Sequence, residues 1–155
     1  MTTIKKKLDL TLLLSRIVLG TVVLGHGAQK LLGWFGGYGF DGTMGFFTNT
    51  IGLPYIFGFL IIVAETAGML ALILGLFGRF LAVVVIVIMA GAIVTTHGKF
   101  GFFMNWGGNL GGEGFEFHIV VMALSLTTVI LGPGAYSLDH LLFSKKEGAE
   151  QPTYA

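Results

Sequence analysis

The chain contains no cysteine. That excludes disulfides, thiolate nucleophiles, iron–sulfur clusters and cysteine-ligated zinc. It leaves the redox compartment unreported, because no thiol is there to register it. Charge is also scarce. Asp, Glu, Lys and Arg make up 11% of the residues, less than half of the ~25% usual in soluble domains. The formal net charge is +1, too small to build a long-range field, so no nucleic-acid partner is expected. Proline occurs three times, at Pro54, Pro133 and Pro152, and interrupts none of the long apolar runs. No Gly-x-Gly-x-x-Gly follows a strand pattern, and no Lys-Ser or Lys-Thr closes a glycine loop, so phosphate-cradling motifs are absent.

What the chain does have is apolar surface. Of its 155 residues 54% are hydrophobic, and the mean hydropathy is +0.86. A soluble domain this small would need far more polar cover, and the same composition excludes disorder. Lipid is the natural solvent, and one domain is the default at this length.

A bilayer core about 30 Å thick takes about 20 apolar helical residues. Four segments qualify: Leu8–Leu32, Pro54–Phe77, Phe80–Thr96 and Phe115–Leu131. Lys5, Lys6 and Lys7 imitate the basic start of a signal peptide. However, the apolar run is too long, Arg16 interrupts it and no small-x-small site follows, so it reads as a retained helix. Pro54 opens span two. Gly78 and Arg79 make a minimal turn between spans two and three, and Pro133–Gly134 ends span four. The expected fold is all-α: a four-transmembrane-helix bundle forming a single domain over 1–143. A polar cytoplasmic tail, 144–155, is expected to be disordered.

Four spans put both termini and the 78–79 turn on one side. That side carries Lys5, Lys6, Lys7, Arg79, Lys145 and Lys146; the other carries Lys30 and Lys99. The positive-inside rule therefore places both termini in the cytoplasm. Two loops rich in glycine and aromatics, about 33–53 and 97–114, then lie outside it. Gly98–Gly114 interleaves glycine with Phe100, Phe102, Phe103 and Trp106, a composition suited to a lid over the bundle.

Ionisable groups inside lipid are costly and point to function. At 100° per residue, Arg16, His26 and Lys30 share a stripe with Gly20, Val23 and Gly27, which should face the bundle; Leu14, Val18 and Leu32 face lipid. In span two, Glu65 sits near mid-membrane on a face with Gly58, Gly68 and Gly75. By helical rise Arg16 lies ~12 Å and Glu65 ~18 Å from the inner ends of their spans, so an Arg16–Glu65 ion pair is expected. At the outer side His26, Lys30, His97, Lys99, Glu113, Glu116 and His118 gather, flanked by Trp34 and Trp106. An interfacial belt of snorkelling Lys and Trp is the alternative reading of that cluster. Glu116 shares a face with Val120, Ala123 and Thr127; His118, about 160° away, ranks lower. His26 and His97 are a bis-histidine pair in type, but nothing else supports haem. No metal or haem is expected.

These residues carry a resemblance. The run Arg16-Ile-Val-Leu-Gly20, the stretch Gly25-His-Gly-Ala-Gln-Lys-Leu-Leu-Gly-Trp-Phe-Gly-Gly37, Glu65-Thr-Ala-Gly68 and Gly132-Pro-Gly-Ala-Tyr-Ser-Leu-Asp139 together resemble the DoxX family of small four-helix bacterial membrane proteins, over about residues 8–143. The resemblance implies a bacterial or archaeal inner-membrane protein with a redox theme: subunits associated with thiosulfate:quinone oxidoreduction and terminal quinol oxidase, and partners of redox-stress enzymes. The matching positions are Arg16, His26, Gly27, Lys30, Glu65 and His97.

The leading expectation is a redox-associated membrane protein that binds a quinone or a similar small apolar molecule, as part of an oxidoreductase complex. A quinone needs an apolar slot and a donor for each carbonyl. His26 and Lys30 would serve one carbonyl and His97 the other, with Glu65 or Glu116 relaying protons. Arg16, Trp34 and Trp106 complete the candidate ligand-binding set. With no cysteine, electrons come from the substrate or a redox partner protein. The alternatives are a non-catalytic anchor or assembly subunit for a soluble partner, and a small transporter. The Ala64–Gly68 face allows helix packing within the chain or in a homo-oligomer.

Overall fold

The computed structural model describes residues 2–144. The polar tail expected from 144 onward therefore lies, beyond its first residue, outside the described residues. Within them every regular element is helical, and none is a strand.

Helix α1 runs Thr3–Leu32, five residues longer at its start than the apolar run. Thr2 caps it by accepting from the Lys5 amide, and Gly33 ends it in the left-handed region at φ 72°. The expected 33–53 loop instead folds into a 3₁₀ turn (Trp34–Gly36), helix α2 (Gly39–Gly45) and a π-helical turn (Phe46–Thr50). Its glycines lower helix propensity, but Met44 and Phe47 bury against Ile62 in a small core of their own, and that packing overrides propensity.

Span two consists of α3 (Tyr55–Val63), a π-helical turn (Ala64–Gly68) and α4 (Met69–Leu74). It stops earlier than expected, because Gly75 takes a left-handed cap at φ 73°. The turn is therefore at 75–77, and Gly78 already belongs to α5 (Gly78–Ala92). A residue far away in sequence fixes this boundary. The Asp139 carboxylate accepts from the amides of Phe77 and Gly78 at 2.7 and 2.8 Å, capping α5 from outside the segment. α5 continues through a third π-helical turn (Ile93–His97) and a 3₁₀ turn to Phe100. α6 (Glu116–Leu131) and a short α7 (Leu138–Phe143) follow, and α7 has no counterpart in the sequence reading.

Three helical spans, Thr3–Leu32, Tyr55–Leu74 and Gly78–Phe100, are long and apolar enough to cross a membrane, and α6 is a shorter apolar helix. The main core joins Leu19 and Val23 of α1, Met69 and Leu72 of α4, Val85 and Met89 of α5, and Val121 of α6. Leu14, Val18 and Leu32 point outward, as their helical phase requires.

The structure corrects the Arg16–Glu65 pair. Arg16 is fully buried, but its Nη2 donates to the Tyr136 carbonyl at 2.6 Å. Nearby, the Ala135 amide donates to buried Asp9, and the Asp139 amide to the Gly75 carbonyl. The segment after α6 thus closes the end of the bundle where α1 begins. Glu65 pairs instead with Lys30, at 2.5 Å. Side-chain direction explains the exchange. Helical side chains tilt toward their own N-terminus. Arg16 therefore reaches toward the start of α1, and Glu65, on an antiparallel helix, reaches the opposite way. Lys30 and Glu65 tilt toward each other. Comparing backbone depths alone misses this.

Candidate functional site

A cavity of about 660 Å³ lies among α1, α3, α5, α6 and the Phe46–Thr50 segment. Its ionisable lining comprises His26, Lys30, Glu65, His97, Glu113 and His118, and Thr95 and Thr96 add hydroxyls. Its apolar lining comes chiefly from α3 and α5, with Phe46, Phe47 and Ile51. The volume falls within the roughly 300–1,000 Å³ of small-molecule sites.

All three π-helical turns contribute to this cavity: Phe46 and Phe47, then Ala64 and Glu65, then Thr95, Thr96 and His97. Such turns are rare and concentrate at functional sites. Each widening disturbs the regular bonding to carbonyls one turn earlier, and in each a threonine hydroxyl donates back. Thr48 donates to Met44 O at 2.9 Å, Thr66 to Ile62 O at 2.7 Å and Thr95 to Gly91 O at 2.8 Å. Two of the ionisable lining residues, Glu65 and His97, sit on these turns.

Close packing puts Glu65 beside α1. A Cβ on Gly27 would overlap the Glu65 backbone carbonyl, so only glycine admits this approach. The Glu65 side chain is 3% exposed and that of Lys30 26%, which makes the pair an almost dry charge pair at the cavity wall.

The histidines differ in their bonding. His26 Nδ1 faces Gln29 Oε1 at 3.1 Å, and Gln29 Nε2 donates to Phe35 O. Hydrogen-bond logic assigns the Nδ1–H of His26 to that contact. His97 Nδ1 donates to the Glu113 carbonyl at 2.8 Å. In their neutral forms both rings are therefore acceptors at Nε2, whereas the sequence reading used them as donors to carbonyls. His118 packs against His97 with ring centroids 4.3 Å apart and the rings tilted by 46°, and its buried Nδ1 has no partner. An unpaired N–H is harder to bury than a lone pair. This favours the tautomer with the hydrogen on Nε2, so His118 supplies a donor.

The structure brings His26, Lys30, Glu65 and His97 to one cavity. It does not bring Arg16, Glu116, Trp34 or Trp106 there. Arg16 serves the opposite end of the bundle. Glu116 accepts from Trp106 Nε1 at 3.3 Å, and Trp106 is 89% exposed. Trp34 lies exposed on its 3₁₀ turn. The face with Glu116, Val120, Ala123 and Thr127 points outward. The buried face of α6 is His118, Val121, Ser125 and Thr128. Small residues on the first face suggested close packing; the signal missed was the equally small Ser125 and Thr128 in phase with His118. The 98–114 loop packs largely on itself, with Phe100 against Gly111 and Gly112, and Asn105 bonded to Glu113 and Leu110. Met104 and Glu113 reach the cavity, while Phe103 and Trp106 stay exposed. Among the described residues, no group of three His, Asp or Glu is placed to hold a metal ion.

A family model named DoxX matches residues 11–98. The chain belongs to the DoxX family. The matched segment includes His26, Lys30, Glu65 and His97 and ends before Glu113 and His118. A Bacillus subtilis (strain 168) protein described as "Putative oxidoreductase CatD" is 28% identical over 142 residues, covering 92% of this chain and 94% of that protein. No solved structure matches the chain significantly. Family membership and three spanning-length helices make this DoxX-family chain a multi-pass membrane protein.

Proposed function

We propose that this DoxX-family protein binds a quinone or a similar small, largely apolar ring molecule, as a subunit of a membrane oxidoreductase complex. One observation carries the reading: a single cavity joins an almost dry Lys30–Glu65 pair and three histidines to walls of Phe, Leu, Val and Ile. A pure membrane anchor has no need of such a lining. The residues fit the group. Ring oxygens need donors, which Lys30 and His118 Nε2 supply. Hydroxyls, where the ring carries them, need acceptors, which His26 and His97 supply at Nε2. A bound quinone would supply two-electron, two-proton redox chemistry, with a partner protein as the source or sink of electrons. Glu65 holds Lys30 in place and balances its charge. His97 and His118, in ring contact at the cavity's end near the 98–114 loop, would pass protons between ring and water.

The lipid extract of the purified protein tests this. A co-purifying quinone, well above the level in an unrelated membrane protein prepared alike and reduced at least fivefold in Glu65→Gln, is expected. An extract with only background quinone defeats the reading.

The same proposal sets the chain in a bacterial or archaeal inner membrane as four spans, with both termini cytoplasmic and the cavity opening in the outer half. The six-to-two distribution of basic residues supports this orientation. Because the chain lacks cysteine, Asn109→Cys gives a single labelling site. It should react with a membrane-impermeant maleimide in intact spheroplasts. Reaction only after lysis reverses the orientation.

A further inference from the structure

The cavity is not closed on the side of α3 and α5. Val83, Val87 and Gly91 recur every four residues on α5, and Phe57, Leu60 and Ala64 every three or four along α3 and its π-helical turn. Both stripes line the cavity. Most of these residues also face outward: Phe57 is 55%, Leu60 50%, Val83 44% and Val87 65% exposed. The two helices have little direct contact; α5 packs chiefly on α6, and α3 on the Phe46–Thr50 segment and α1. A gap walled by these apolar residues therefore runs from the outer surface, which faces lipid in a spanning bundle, to the buried Glu65. At Gly91 a Cβ would meet nothing within 4 Å.

We infer that the ligand is a membrane-borne amphiphile: it enters sideways between α3 and α5, seats its ring among His26, Lys30, Glu65 and His97, and leaves an apolar tail in the gap. This rests on the reading of the cavity as a site for a quinone-type ring. Three features select the tail as occupant. The gap is continuous with the polar cluster, so one molecule fills both. Its rim is apolar apart from Thr95, whose hydroxyl already donates to the Gly91 carbonyl, so it offers little to attract a soluble metabolite. A cavity of about 660 Å³ accommodates a substituted ring and the start of a chain but not a long isoprenoid, which must leave through an opening. The small residues Ala64 and Gly91, facing the cavity from the two sides, leave room for a chain.

Two probes with one ring test this. They are 2,3-dimethoxy-5-methyl-1,4-benzoquinone and its 6-decyl derivative, bound to the protein in micelles of one detergent, with affinities read by equilibrium dialysis. The variant Gly91→Trp fills the gap. Val94→Trp, on the same helix at a position that is 85% exposed and outside the cavity lining, is the control. The wild type should bind the decyl compound at least tenfold tighter than the bare ring. Gly91→Trp should weaken the decyl compound about tenfold while changing the bare ring less than twofold, and Val94→Trp should change neither. The inference is overturned if Gly91→Trp spares both probes or weakens both equally. It is also overturned if Gly91→Trp converts a dimer to a monomer, which would make a second copy the occupant. If the bare ring and the decyl compound both fail to bind the wild type, the quinone-type reading falls as well. If both bind equally well, only the tail is wrong.

Discussion

Replacing Glu65 with alanine is expected to destabilise the protein by roughly 3–5 kcal/mol, the range for removing one partner of a buried charge pair. The loss should fall toward the lower end, because the Lys30 side chain keeps 26% of its surface accessible. In the variant the ammonium loses its Glu65 partner at the cavity wall, and the energy lost is largely its uncompensated desolvation. The double variant Lys30→Met with Glu65→Leu should be milder than Glu65→Ala alone, since neither charge is then buried. Thermal unfolding in detergent measures both, together with Lys30→Met and Glu65→Leu alone. Additive losses would mean that Lys30 and Glu65 do not interact. A strong coupling of Glu65 to Arg16 instead would overturn the packing described above.

Gly27→Ala should be the next most damaging change, at about 2–3 kcal/mol or more, in the range of overpacking a tight contact. The added methyl would collide with the Glu65 backbone carbonyl, and Thr66 stands close behind. Backbone cannot rotate away as a side chain can, so α1 must separate from the Ala64–Gly68 turn. That separation stretches the Lys30–Glu65 contact too, so the variant should lose ligand as well as stability. Gly25→Ala serves as the comparison: a Cβ there meets nothing within 4 Å, and alanine favours helix over glycine by up to about 1 kcal/mol. If Gly27→Ala melts no lower than Gly25→Ala, the close approach of α1 to Glu65 is wrong.

Residue chemistry and periodicity reach a defined distance into this protein. The all-helical class and the spanning segments follow from apolar run length, because in lipid a helix is the one local way to satisfy every backbone group. The inward face of α1 follows from phase: Arg16, Gly20, Val23 and Gly27 are all buried there. The family resemblance stands on motifs inside the matched segment. Phase is less decisive on α6, where both candidate faces carry small residues, and the sequence reading favoured Glu116 over His118. The helix hidden in 33–53 is similarly obscured, since its glycines speak against a helix and only contact with Ile62 speaks for one.

Run length, helical phase and residue type are enough to establish that this chain folds as apolar helices in lipid, which face of the first helix turns inward, and which ionisable residues must be accommodated there. Three-dimensional packing sets how those charges are partnered: Lys30 rather than Arg16 with Glu65, Arg16 with the Tyr136 carbonyl, and Asp139 as the cap of a helix that begins 61 residues earlier. It also decided which histidines gather at the cavity and that three π-helical turns surround it. The physical reason is one of range. Hydrophobic run length and helical phase are properties of neighbours along the chain. Ion pairs and caps depend instead on which helices are antiparallel, how closely glycines let them approach, and which way each side chain tilts.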